Sequence, residues 1–582
     1  MTLFDELKRR RVFRAIVGYG IVAFALLQVV EPITHGFHLP DETLTITVVA
    51  LGFGFPVVVV LLAWAFDITA SGIERAPSAS ASRLARLRLA FMLIGIGLIA
   101  AAPGLTWYFF VHQARRAAQS AGATTPSIAV LPFADLSPSK DQEYFSDGIA
   151  EEILNALNHV EGLHVAGRTS AFSFKGKNED LRTIGERLKV GAVLEGSVRK
   201  EGSRVRITTQ LISTADGYHL WSETFDRELT GIFAVQDEIA RAVVEALKVK
   251  LLPGKKADAQ QHRAANLEVY RQYLLGRQFF ERNSEDGFRR AVEAYQKALA
   301  VDSTYAPAWA GLAVAAFSLG DVFGGTSAAI SEAHRRAVEA ADRAVALGPD
   351  LAEAYDSRAT IRYYVAWDWT GAQADLERAL ALSPGDAANR KDYAEVLATL
   401  GRLRGAIAED RKAVEMDPLS GRIWNSLGRF YNGSSQPDLA RGALERALEI
   451  IPGSFSSPYH LATSYLVDRQ PEAALAALQR YRVEGPVWEL GIAMVEHDLG
   501  HREKSQQLLD AAIGKYGHVS AFQIAEVYAW RGEQDRAFKW LERAYAQRDG
   551  GVTLVKYSPL LRSLRGDPRY PAFLRKLNLP PD

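Results

Sequence analysis

The sequence predicts a multi-domain chain: three transmembrane helices, a small mixed α/β domain, and an all-α superhelix of stacked helix pairs. Three observations carry this. Three long apolar stretches fall within the first 111 residues, and a β-α-β-α-β-β-β-α pattern fills residues 127–252. Beyond it, Pro384, Pro418 and Pro452 lie 34 residues apart, each closing a short apolar helix end (ALALSP, AVEMDP, ALEIIP). Self-similarity at that period marks stacked helix pairs, because one pair cannot bury its apolar face alone.

At 582 residues the chain is too long for a single core. Lys plus Arg and Asp plus Glu both number 68, so no global charge argues for a nucleic-acid partner. There is no cysteine, which excludes disulfides, thiolate metal sites and cysteine nucleophiles. An apolar content of 48% and a charged content of 23% describe an ordered protein. The first 111 residues inflate the apolar share.

The apolar stretches are Ala15–Val30, Leu44–Phe66 and Leu89–Val111. A bilayer core needs about 20 apolar residues as helix. The second and third meet this length, and the first does once Val12 and Phe13 join it, giving spans over residues 12–31, 44–66 and 89–111. A cleaved signal peptide is the rival reading of the first stretch, but no small-residue cleavage site follows it and Glu31-Pro32 reads as a helix end. The absence of charge from Leu44 to Phe66 argues against a buried soluble hairpin. Lys8, Arg9, Arg10, Arg11 and Arg14 precede the first span, and Arg75, Arg83, Arg86 and Arg88 fill the second loop. The first loop, His35–Thr43, carries only Asp41 and Glu42. Both basic segments therefore face the cytoplasm of a bacterium, and residues after about 112 lie across its inner membrane in the periplasm. Arg115 and Arg116 pull weakly the other way. His35 and His38 are more simply solvated than a metal or pH site. Residues 112–126, rich in Ala, Gln, Ser, Gly and Thr, read as a linker.

Ser127–Phe133 is a buried-strand run, and Tyr144–Leu157 has Phe145, Ile149, Ile153 and Leu157 at helical spacing. A short strand at Leu163–Ala166 and a helix at Leu181–Leu188 follow. The period then switches to two: Ala192–Arg199, Val205–Ser213 and Tyr218–Asp226 form a meander, and Val235–Leu247 closes the module as an amphipathic helix. This order implies a mixed sheet with helices covering one face. The segments IAVLPFADLSP, EYFSDGIAEEILNAL, LEGSVRKEGSRVRITTQLI and GYHLWSETFDRELTGIFAVQDEIA resemble the TolB-like amino-terminal domain. That resemblance implies a protein-contact module of a kind found before repeat arrays, sometimes behind winged-helix or cyclase domains. LFDELKRRRVFRAIVGYG and WAFDITASGIER resemble the membrane segment of the same architecture.

Three groups in this block invite a chemical reading. Asp135, Asp147, Glu151 and Glu152 are acidic and close in sequence, yet Glu151 and Glu152 point different ways on a helix and Asp147 suits a helix amino terminus, so capping and solvation explain them. Gly167–Lys177 (GRTSAFSFKGK) lacks phosphate-loop spacing and reads as a surface loop. Trp221 reads as core. Further along, His497 and His501 share a helix spacing, but Gly500 marks a turn and no third ligand is evident.

Residues 253–265 are polar and read as a hinge; residues 266–548 hold about eight helix pairs; residues 549–582 read as a terminal cap. In the clearest copy, ending at Pro452, Trp424, Leu427, Gly428 and Tyr431 sit on the first helix and Ala440, Leu444 and Ala447 on the second. This pattern resembles the tetratricopeptide repeat (TPR). The pair ending at Pro418 departs from it, with Arg390 for the large first aromatic and Asp410 where an aromatic packs, and Val487–Tyr516 fits poorly. The resemblance implies a concave face lined by first helices that takes proteins or peptides; its candidate residues are Lys391, Glu395, Asn425, Arg429 and Asn432. A solvated helix face is the alternative, and the carboxylate-clamp set of some TPR domains is not reproduced.

The chain contains no Walker loop, H-E-x-x-H, G-x-S-x-G or dinucleotide fingerprint. The sequence therefore predicts an interaction scaffold rather than an enzyme, with no cofactor or metal, held by the lipid bilayer and offering its repeats to envelope partners. A transmembrane sensor or signalling component is the alternative. An enzyme ranks last, since nothing resembles a cyclase catalytic domain.

Overall fold

The computed structural model describes residues 126–160, 162–228, 232–247, 267–323 and 327–581, together with residues 66–69 and 72–75. Save for Phe66, the expected membrane spans lie outside the described residues, as does the hinge at 253–265. The chain divides into two units, Met1–Thr124 and Thr125–Asp582. In the first, β1 (Phe66–Thr69) and β2 (Gly72–Arg75) pair antiparallel, with Phe66 opposite Arg75. Among the described residues no helix is long and apolar enough to cross a membrane.

The second unit opens with a mixed sheet. Its strands are β3 (Ser127–Val130), β4 (Ala134–Asp135), β5 (His164–Val165), β6 (Ala192–Glu201), β7 (Arg204–Ser213) and β8 (His219–Glu228). The order is β5-β3-β6-β7-β8, with β4 beside β6. β3 runs parallel to both neighbours, placing Ile128 against Ala192 and Val130 against Leu194. β6, β7 and β8 form an antiparallel meander, and Val198, Ile207 and Phe225 stand opposite one another as a buried row. The β6–β7 turn needs Gly202, whose φ is +59°.

Helices cover both faces of this sheet rather than one. α1 (Glu143–Asn158) and α4 (Ile232–Ala246) pack on Ile128, Val130 and Leu194. On the reverse face, α3 (Leu181–Leu188) packs with Ala129, Leu131 and Val193, beside the short α2 (Arg168–Phe172). Alternation explains it: β3 and β6 are apolar on both sides, so each side requires a cover.

Eight antiparallel helix pairs follow among the described residues. They are α5 (Leu267–Glu281) with α6 (Glu285–Val301), α7 (Ala306–Phe323) with α8 (Ser327–Leu347), α9 (Ala352–Ile361) with α10 (Trp369–Leu382), and α11 (Ala387–Thr399) with α12 (Leu403–Met416). The series continues as α13 (Gly421–Gly433) with α14 (Pro437–Ile450), α15 (Ser457–Val467) with α16 (Pro471–Arg480), α17 (Pro486–Asp498) with α18 (Arg502–Tyr516), and α19 (Ala521–Trp530) with α20 (Gln534–Ala546). The poorly fitting Val487–Tyr516 is thus an ordinary pair. The clearest copy shows why the pattern works: a Cβ on Gly428 would come within 2.5 Å of Leu444, so only glycine lets α13 and α14 approach. The departures at Arg390 and Asp410 are internally compensated. Arg390 pairs with Glu409, and the fully buried Asp410 accepts a hydrogen bond from Ser426.

The carboxy-terminal segment packs on the last pair, as the expected terminal cap would, and reaches further. It consists of two 3-10 turns, Gly550–Leu554 and Pro559–Leu564, and α21 (Arg569–Lys576). Instead of continuing the stack, it folds back across the first helices of earlier pairs. Tyr557 meets Phe430 of α13 edge-on at 5.7 Å, Thr399 of α11 donates to the Thr553 carbonyl (3.1 Å), and the Trp369 indole N–H donates to the Leu577 carbonyl (2.6 Å). A π turn at Arg362–Ala366, with Trp367 at φ +55°, brings the third pair to this contact, where Trp367 packs on Tyr545 and Arg548. Val552, Val555, Leu561, Leu564 and Leu577 are fully buried there. Tyr557→Ala is expected to cost about 3–5 kcal/mol, as for other buried aromatics. Tyr557→Phe, which loses only the hydroxyl bond to Arg429, should cost about 1 kcal/mol. Thermal denaturation compares the two, and trypsin should cut at Lys556 or Arg562 faster in the alanine variant alone.

Candidate interaction face and domain interface

The proline turns are built alike. The residue after each second helix still donates its N–H back into the helix: Ser383 to Ala379, Asp417 to Ala413 and Ile451 to Ala447, all at 2.8 Å. Two of these turns seat the α/β module. The Gly167 N–H donates to the Met416 carbonyl (2.7 Å), the Ser170 N–H to the Asp417 carboxylate (2.7 Å), and the Leu419 N–H to the Ser170 hydroxyl (2.7 Å). A Cβ on Gly167 would lie 2.5 Å from Asp417. One turn earlier, Gly385 lies against Asn158. The GRTSAFSFKGK stretch is therefore no surface loop; its first half, as α2, is the docking element.

The module meets the first pair as well. Glu151, almost fully buried, pairs with Arg168 (3.0 Å) and with Arg277 of α5. Burial alone would raise its pKa; the Arg277 and Arg168 guanidiniums outweigh that and hold it below the usual carboxylate range. Phe145 meets Tyr270 edge-on at 6.5 Å, and Gln236 donates to the Tyr270 hydroxyl (3.1 Å). One hydrophobic core thus runs from the sheet into α5, α6 and α7. The acidic cluster is dispersed. Asp135 accepts from the Ser137 and Gln142 N–H groups (2.9 and 2.8 Å), and Asp147 pairs with Lys175. Trp221 is partly buried and packs against the core beside Phe225 (6.4 Å).

The five candidate face residues lie along α11 and α13. Positions 391, 425 and 459 are one repeat apart, as are 395, 429 and 463. Glu395 and Arg429, equivalent places in successive repeats, form a largely buried ion pair, and Arg429 also donates to the Tyr557 hydroxyl (3.3 Å). Burial opposes the charge on Arg429, but Glu395 keeps its pKa raised. Lys391 lies 2.8 Å from Asp392 and 3.7 Å from Glu395; burial lowers its pKa and those carboxylates more than restore it. Asn425 accepts from the Ser457 hydroxyl (2.8 Å), and the buried Asn432 donates to the His460 carbonyl (2.8 Å). The tail lies against Arg429 and Asn432, whereas Lys391 and Asn425, both partly buried, are bonded within the array. There, burial and the carboxylates of Asp392, Asp386 and Glu353 push the Asp356 carboxyl well up.

Sequence reasoning missed the groups beneath the tail. A cavity of about 20 Å³ is lined by Arg429, Asn432, Tyr459, His460, Glu526 and Tyr557. Burial and Arg429 push the His460 pKa well down, which keeps it neutral. Glu526 was visible only as a lone charge inside the apolar helix AFQIAEVYAW. His501 bonds to Glu496 (2.8 Å), and among the described residues no group of His, Cys, Asp and Glu is arranged to hold a metal.

Comparison with known proteins narrows the reading. Residues 361–420 match the tetratricopeptide repeat family model. The chain carries a TPR region. Residues 123–242 match the model described as the second domain of HilA/YgeH-like transcriptional regulators, a different name from the TolB-like resemblance of the same block. Putative adenylate cyclase 3 of Rhizobium meliloti (strain 1021) is 41% identical over 193 residues, 33% of this chain and 33% of that protein. The peroxisomal targeting signal receptor of Yarrowia lipolytica is 32% identical over 87 residues, 15% of this chain and 14% of that protein. The chain thus spans a third or less of the curated relatives it matches. Among solved structures, PilF of Pseudomonas aeruginosa is 16% identical, covering 39% of this chain and 98% of that one at a TM-score of 0.31. A thermophilic TPR protein of Thermus thermophilus is 20% identical, covering 34% of this chain and 99% of that one at a TM-score of 0.29.

The interface and the face each give a test. Arg277→Met, which leaves Glu151 buried with one guanidinium fewer, is expected to cost about 3–5 kcal/mol. Glu395→Ala, which strands Arg429, should cost a similar amount, and Glu395→Gln less. Urea denaturation of the three variants measures these costs.

Proposed function

We propose that this protein is a non-enzymatic interaction scaffold. Its TPR region receives a protein or peptide on the inner face around Lys391 and Asn425, while the α/β module and the tail brace the array. The observation that carries this reading is the alignment of first-helix polar side chains in register, one repeat apart, on a framework fixed at both ends. In the same reading, the three apolar stretches of residues 12–31, 44–66 and 89–111 anchor the chain in a bacterial inner membrane. Residues after about 112 then face envelope partners in the periplasm.

A signalling role is the second reading. It is favoured by the likeness of residues 123–242 to a transcriptional-regulator domain and by the relative named as a putative adenylate cyclase. In that case partner binding on the repeats would be relayed to a separate protein.

Two experiments test these readings. A photo-crosslinking amino acid in place of Lys391 should capture a partner in cells, and one in place of the exposed Glu445 on α14 should not. Equal capture, or none at Lys391, removes the inner-face reading. A periplasm-active reporter fused after Asp582 should be active, and the same reporter within Ser78–Ser82 inactive. The reverse result puts the repeats in the cytoplasm and makes a cytosolic regulatory scaffold the better reading.

A further inference from the structure

Glu526 sits at the centre of α19 with 3% of its surface exposed. Its carboxyl accepts a hydrogen bond from the Tyr459 hydroxyl of α15 (2.8 Å) and another from the Ser558 hydroxyl of the tail (2.6 Å). Three elements therefore meet at one side chain. The titratable and charged groups facing it are Tyr459 and His460 from α15, Arg429 from α13, and Asp549 and Tyr557 from the tail. Arg429 is engaged with Glu395, and His460 is neutral. Asp549 is itself fixed by accepting the Phe522 and Gly551 N–H groups (2.9 and 2.8 Å). The carboxyl thus lies in a polar pocket whose bonded partners are two neutral hydroxyls.

We propose that the Tyr459–Glu526–Ser558 contact is a proton-responsive clip that fastens the tail over the inner face, closed while Glu526 is protonated and loosened once it ionises. A protonated carboxyl matches two hydroxyls without a buried charge. An ionised one must keep its charge out of water beside Asp549, with no bonded cation to offset it. Ser558 is the partner free to leave, because it lies between two short 3-10 turns rather than within a helix of the array. Its departure opens the cavity over Arg429 and Asn432. That the uncovered face then admits a partner rests on the function proposed above.

The direction of the pH effect follows from linkage. Burial, reinforced by Asp549, pushes the Glu526 pKa from 4.5 up to about 7, although both hydroxyl bonds pull it down. The closed state therefore holds more protons than the opened one. Its added stability is full below about 4.5 and is lost as pH rises through about 7.

Hydrogen exchange of the full chain in detergent, read over Val555–Leu561 and corrected for intrinsic exchange, tests the clip without any partner. Protection should fall about tenfold per pH unit between roughly pH 5 and 7 and level off above. Glu526→Gln should show no such slope. Tyr459→Phe, which removes one bond to the ionised form, should move the levelling-off to higher pH. A flat profile in the unaltered protein overturns the clip, as does the same slope in Glu526→Gln. If the glutamine variant does not fold, an unshifted profile in Tyr459→Phe overturns it instead. A failed binding face would leave all these profiles unchanged, so the two failures are told apart.

Discussion

The 34-residue period is the constraint on which the second unit depends. A fixed repeat places equivalent atoms in line, and the chain uses two such lines. Along one run the proline turns, each tied by the same backbone bond from Ser383, Asp417 or Ile451. Along the other run the inner residues of the first helices, where Glu395 of one repeat reaches Arg429 of the next. The α/β module docks on the first line and the tail lies over the second. Neither contact would survive a change of period, because shifting one helix pair by a residue rotates its inner side chains by about 100°.

An open solenoid leaves its last pair with an exposed apolar flank, and a terminal cap usually covers it. Here the covering segment does more. By folding back to Trp369 and Thr399 it joins the eighth pair to the third and fourth, so the repeats between them are held at both ends. The π turn before Trp367 gives local cost its reason: a bulky residue at positive φ persists where surrounding contacts over-determine it, and Trp367 is held by Trp369, Tyr545 and Arg548. With the first pair fixed through Arg277 and Tyr270, the array is braced along its length. A braced receptor loses less conformational freedom when it binds.

What was legible in the sequence was what repeats or alternates. The TPR region follows from proline spacing and small residues at helix crossings, and the strand order of the α/β module from its switch to period two. Contacts between distant segments left no comparable trace. GRTSAFSFKGK reads as a loop because its partner, Asp417, is 247 residues away from Ser170. Glu151 and Glu152 look alike in sequence, and only the arrival of Arg277 makes Glu151 a buried ion-pair member. The second face of the sheet was underestimated for the same reason: α3 is short, and Leu419, part of its cover, belongs to the repeats. The five face residues fall on the first helices from which spacing drew them, but spacing could not say which the tail would touch.

The two parts of the inner face differ in what their side chains are bonded to. Under the tail, Asn432 donates to the His460 carbonyl and Arg429 pairs with Glu395 and Tyr557, while Asn432 Oδ1 and Arg429 Nε keep no hydrogen-bond partner. A ligand there would have to replace most of these bonds, gaining little for each one broken. Around Lys391, the ammonium is held by Asp392 and Glu395, which favour its charge, while Asp356 sits among three other carboxylates that disfavour its own. A carboxyl in such like-charge conflict gains when a partner brings complementary charge or new donors. A cation reaching Asp356 would therefore gain an interaction that Arg429 and Glu395 already make with each other.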